Sequence, residues 1–180
     1  WTARRSLDDS SRWLAKLCRS IWGCSSSLPS CRTASRFSRS CTVRGLIRRD
    51  TPQFAGEDGY RFRHLLIRDT AYNALWKATR ADLHERFADW LEGRSDLIER
   101  DEILGYHLEQ AVRYKCELGQ TDPTLATRAG ERLAAAGRRA LWRGDERAAA
   151  GLLERALELT RPTRLDVVLE LDLAQSHFER

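Results

Sequence analysis

The thirty residues Leu133 to Pro162, LAAAGRRALWRGDERAAAGLLERALELTRP, constrain this chain more than any other stretch. Two segments with apolar residues at helical spacing flank Gly144-Asp145, and Pro162 closes the second. A helical hairpin of this kind buries its apolar face only by stacking on another such unit, so the pattern predicts a repeat scaffold. A scaffold holds other proteins or domains, and no catalytic constellation accompanies it.

The helix after Pro123 places Leu125, Ala129, Leu133, Ala136 and Ala140 in one narrow stripe of small residues, which permits close helix approach. Its partner, from Asp145 to about Thr160, offers Ala149, Leu152, Leu153, Ala156 and Leu157. Upstream, a helix opening at Asp101 carries Leu104, Leu108, Ala111 and Val112, and Gly119 to Pro123 breaks it. Downstream, Val167 to Leu173 alternates partly as a strand would. Val167, Leu171, Ala174 and Phe178 also satisfy a helical face, and Leu/Glu richness favours the helix. Against a roughly 34-residue tetratricopeptide register, Gly137, Ala149, Leu153 and Ala156 fall on the small and apolar positions. Leu133 and Ala140 stand where that pattern has aromatic residues, so the match is TPR-like. Leu165 to Arg180 then reads as the first helix of a further repeat, cut short.

Between residues 45 and 94 the texture differs. Leu46-Ile47 and Tyr60-Arg61-Phe62 are β-prone pieces around the turn-rich Asp50 to Gly59, a hairpin with a long loop. A helix is expected over about 65–77, with Ile67, Ala71, Ala74 and Leu75 at helical spacing. Thr79 and Asp82 form a capping-box pattern that predicts a fresh helix start. That next helix carries Leu83, Phe87, Trp90 and Leu91 on one face and ends at Gly93. Hairpin followed by helices is the order at the distal side of a winged-helix unit. The predicted fold is therefore mainly α, with a partial winged helix over 45–94 and TPR-like helical repeats over 95–180.

The net charge of +5 averages two unlike segments. Residues 1–49 hold 11 Lys+Arg against 2 Asp+Glu, whereas residues 50–180 hold 20 against 24. An inference to nucleic acid, which binds basic surfaces through counterion release, would rest wholly on the first segment. The same segment concentrates Ser and holds Cys18, Cys24, Cys31 and Cys41. Their separations do not give the paired ligands of a structural zinc site. A disulfide cluster would need an oxidising compartment, and no secretory apolar region precedes it. Residues 1–44 are read as a disordered basic arm or a stretch outside the native frame, because Ser/Arg/Cys richness without periodicity builds no core. The longest uncharged run, Ile21 to Cys31, is too short and polar to cross a bilayer, which needs roughly 20 apolar residues. With no signal segment and largely unpaired thiols, a cytoplasmic protein with no membrane partner is expected, and the lack of any Met and of a stop after the last helix reads as a fragment.

The run Phe62 to Leu91 (FRHLLIRDTAYNALWKATRADLHERFADWL), with Gly105 to Ala111 (GYHLEQA) and Ala136 to Leu141 (AGRRAL), resembles a region of large bacterial signalling proteins. These are the signal-transduction ATPases with numerous domains, often fused to class III adenylate/guanylate cyclases or to DNA-binding regulators. The resemblance covers about residues 45–180 and implies a winged helix followed by a TPR-like superhelix that senses partners. It implies ATP or ADP in the parent protein and no cofactor in this segment, which carries no GxxxxGK[ST] phosphate loop. It also implies a role for His64. In related switch ATPases a histidine opening the helix after the wing reaches the ADP phosphate, at a helix end that already favours an anion.

The other candidates have plainer readings. His64 is also placed to cap its helix. His84 and His107, on separate helices without ligand-spaced neighbours, read as packing or helix-surface residues, and Arg68-Asp69 reads as a local pair. Trp76, Trp90 and Trp142 read as core or inter-repeat anchors, or as a partner site if exposed. Arg138, Arg139 and Arg143 suit a helix C-terminus. Trp142, Arg138 and Arg139 are thus the partner-binding candidates, toward proteins or neighbouring domains. The functional expectation is a non-catalytic regulatory and protein-interaction segment. The alternative is a fragment of a DNA-binding transcriptional regulator using the winged helix and basic arm, which the acidic body disfavours.

Overall fold

The computed structural model describes residues 45–50, 59–93, 100–161 and 166–178. The arm of residues 1–44, with Cys18, Cys24, Cys31 and Cys41, and residues 51–58 of the expected loop lie outside them, whereas Asp50 and Gly59, expected in that loop, belong to strands. The described residues form six helices and one two-stranded antiparallel sheet, and the chain separates into two compact units, Trp1–Trp76 and Lys77–Arg180.

In the first unit, β1 (Ile47–Asp50) pairs with β2 (Gly59–Phe62), Ile47 opposite Phe62 and Asp50 opposite Gly59. Arg48 faces Arg61 across the ladder, an unfavourable like-charge pairing. Asp50 offsets it by accepting from Arg61 Nε at 3.0 Å. Helix α1 (Leu65–Asn73) follows, shorter than the expected 65–77. Its end tightens, with the Ala74 N–H donating to Thr70 and the Leu75 N–H to Tyr72, and the chain restarts as a separate helix.

The second unit holds α2 (Lys77–Glu92), α3 (Arg100–Glu117), α4 (Pro123–Trp142), α5 (Glu146–Thr160) and α6 (Val167–Phe178). Successive helices pack on one another in order. Thr79 and Asp82, expected to open a helix, lie inside α2, and Asp82 accepts instead from Arg86 one turn on. Although α2 belongs by sequence to the 45–94 region, it clusters with the helices after it.

The α4–α5 hairpin supplies most of one apolar core cluster. Every residue of the predicted stripes on these two helices is buried. Leu133 and Leu153 have no measurable exposure, each worth roughly 1.5–3 kcal/mol of apolar burial. Small residues set the spacing. A Cβ on Gly130 would come within 2.5 Å of Thr160 Cγ2 and 3.2 Å of the Ala156 carbonyl oxygen. The hairpin turns at Gly144, whose φ of +69° is a left-handed conformation that favours glycine. Asp145 then caps α5 by accepting from Ala148 N–H at 3.0 Å, as Asp122 caps α4 through Leu125 N–H at the same distance. Asp122 titrates below the usual carboxylate range because of that backbone bond and its ion pair with Lys115.

Helix α6 forms as expected but turns a different face inward. Leu169 and Ser176 are buried, whereas Val167, Leu171, Ala174 and Phe178 are exposed, Phe178 by 92%. The predicted stripe is thus the outer face. None of the helices among the described residues is long and apolar enough to cross a membrane.

Candidate functional site

The sequence-derived candidates do not converge on one place. In the first unit His64 is the N-cap of α1, in extended backbone, and its Nδ1 accepts from Leu66 N–H at 3.3 Å. With Nδ1 accepting, the neutral ring carries its proton on Nε2, leaving that side a donor. One turn on, Arg68 is buried and its Nε donates to Asp69 at 2.7 Å, the expected local pair.

In the second unit Arg138 and Arg139 lie near the end of α4, but their guanidinium groups bind within the fold. Arg138 Nε donates to Asp172 of α6 at 2.6 Å, and Arg139 meets Asp101 of α3 at 2.6 Å. Trp142 is 94% exposed and Trp76, of the first unit, 83%, so neither is a core anchor. Each stands at a helix boundary where no neighbouring helix covers it. Trp90 alone of the three packs as expected, against Phe87 with ring centroids 5.6 Å apart.

Ion pairs stitch the stack along one edge. Arg128 bridges Asp89 and Glu92, Arg132 bridges Glu92 and Asp101, and Arg139 returns to Asp101. Hydrogen bonding from Arg128 is the largest influence holding Glu92 below its ordinary range. Elsewhere Lys115 spans Glu85 and Asp122 at 2.8 and 2.9 Å, and Arg155 makes a two-pronged contact with Glu109. The bond to Glu85 leads the influences that raise Lys115.

The most unusual group is one that sequence reasoning left among packing or surface residues. His84 of α2 and His107 of α3 are both buried, with Nδ1 atoms 2.9 Å apart. The His107 ring lies 4.5 Å from Phe87 and 5.2 Å from Tyr106, and Tyr114 lies 6.0 Å from His84. Burial, then the positive charges of Arg113 and Arg80, pushes His84 down to about 3. Burial followed by the neighbouring His84 lowers His107 well below the usual value. A signal for this pair existed: His84 shares the helical face of Phe87, Ala88 and Leu91, and His107 that of Leu104 and Ala111. Among the described residues no cluster of three or more His, Cys, Asp or Glu is arranged to hold a metal ion.

Comparison of the chain with protein-family models, curated proteins and solved structures gives no match.

Proposed function

We propose that this chain is a non-catalytic regulatory and protein-interaction segment, combining a TPR-like helical array and a partial winged helix, of the kind found in multidomain signalling ATPases. One observation carries the reading. The α4–α5 hairpin packs through a buried seam rich in small residues, and α6 continues the stack while presenting Val167, Val168, Leu171 and Phe178 outward. An apolar face of this size on a helix is built to receive another amphipathic helix, as α4 receives α5. Exposed Trp142 adds an aromatic anchor of the type enriched at interfaces. Arg138 and Arg139 serve by fixing α4 to its neighbours rather than by meeting a partner directly.

In the parent protein, His64 at the start of α1 contacts the phosphate of bound ADP. Its Nδ1 cap bond supports this by leaving Nε2 as the donor. His64→Ala is then expected to weaken ADP retention in the parent protein; unchanged ADP affinity would remove His64 from the site.

The interaction reading is tested by placing Asp at Val167 and Leu171 together. The substituted chain keeps its helical circular dichroism and loses a partner that wild type captures in both directions of a reciprocal capture. Equal capture by both chains overturns the proposal. Purified chain is expected to show no ATP hydrolysis and no cyclic-nucleotide formation, and turnover that survives repurification refutes the non-catalytic assignment. Duplex DNA affinity with a steep salt slope, lost on deleting residues 1–49, would instead favour a DNA-binding regulator.

A further inference from the structure

We propose that His84 and His107 form a proton-operated latch across the α2–α3 seam: a neutral pair holds the two helices together, and a doubly protonated pair releases them. The shared contact sets what protonation does. At 2.9 Å the two Nδ1 atoms share a hydrogen bond, so one ring donates from Nδ1 while the other accepts there and keeps its own proton on Nε2. Protonating both rings puts a proton on both Nδ1 atoms. It removes the acceptor, breaks the bond and sets two cations face to face in a buried contact.

The surroundings make protonation unfavourable in the closed stack. Phe87, Tyr106 and Tyr114 enclose the rings. The charges acting on the pair, Arg80 from α2 and Arg113 from α3, are positive. The carboxylates of these two helices nearest along the sequence are engaged elsewhere: Glu85 with Lys115, and Glu109 with Arg155 of α5. From α4, Leu133 meets α3 beside His107, at Gly105, and the α4 guanidinium groups of Arg128, Arg132 and Arg139 bind Asp89, Glu92 and Asp101. Opening the seam returns both imidazoles to water and to their ordinary basicity near 6.5. Protons therefore bind the open form more tightly, and acidification drives opening. The α4–α5 seam is Ala, Gly, Leu and Thr throughout and contains no titratable group, so α2 and α3 part first.

Hydrogen exchange of the full chain, corrected for intrinsic rates over a pH series, reads this directly. Below pH 6.5 the opening of α2 and α3 is expected to rise by about tenfold per pH unit for each proton taken up, ahead of α4 and α5. His84→Gln keeps a hydrogen-bonding side chain without the titration and should reduce that slope by about one proton, or tenfold per pH unit. Equal slopes in wild type and variant overturn the latch, as does simultaneous opening of all helices. Nitrogen-15 imidazole spectra of the wild-type chain supply a second readout that needs no variant. One ring protonated at Nδ1 and the other at Nε2, neither titrating near 6.5, is the expected result. Two Nε2–H rings, or a ring titrating at the ordinary value, overturns it.

Discussion

The α2–α3 and α4–α5 seams join antiparallel neighbours by opposite means. At α4–α5 the helices approach closely because Gly130 and a stripe of alanines let them, and Leu133, Leu153 and Leu157 fill what remains. At α2–α3 aromatic rings, two buried imidazoles and the Lys115–Glu85 ion pair occupy the interface. The first seam depends on shape and is indifferent to pH. The second depends on where protons sit. One stack thus contains a joint that is hard to disturb and a joint that solution conditions can loosen.

Substitutions can break that contrast. The largest effect is expected from Gly130→Val, whose Cβ meets Thr160 and the Ala156 carbonyl; overpacking there should cost about 3 kcal/mol, read as a drop in the denaturation midpoint. A smaller loss from Gly130→Val than from Gly144→Val would show that the seam yields easily and that shape does not set it.

Acid comes next. The two histidines have folded-state values below the unfolded value of 6.5, so their contribution is complete above that pH and is lost as pH falls, for His84 toward about 3. Near pH 5 the loss is on the order of 2 kcal/mol for His84. Denaturant titrations of wild type and His84→Gln at pH 7 and 5 check this, and an identical pH dependence would dissolve the distinction between the seams.

Gly144→Val should cost about 1 kcal/mol through backbone strain, since nothing lies within 4 Å of its added Cβ. Gly144→Asn, better tolerated in left-handed backbone, should recover part of it in the same measurement. The smallest change is expected for Arg138→Ala. Its pair with Asp172 is exposed, so the midpoint should move by less than about 1 kcal/mol, and by still less in high salt.

The sequence alone determined the α4–α5 hairpin, because its small-residue stripe, its Gly144 turn and its Asp145 cap are local signals written in consecutive residues. It likewise placed the β1–β2 hairpin and the apolar stripe of α3. It set the end of α1 too late, at about 77, because apolar spacing carries on through Ala74 and Leu75 while the Leu75 N–H bonds three residues back, to Tyr72, and the helix stops at Asn73. Which face of α6 turns inward was decided by tertiary structure. Leu169 fits between α6 and its neighbours, and the more conspicuous Val167, Leu171, Ala174 and Phe178 stripe is left facing out. The same holds for Arg138, Arg139 and Trp142, within five residues of one another but divided between ion pairs to α6 and α3 and open solvent. The His84–His107 pair is the clearest case. Periodicity puts each imidazole on a buried face, but only the packing of α2 against α3 brings their nitrogens to hydrogen-bonding distance, and that distance turns two packing residues into one titrating unit.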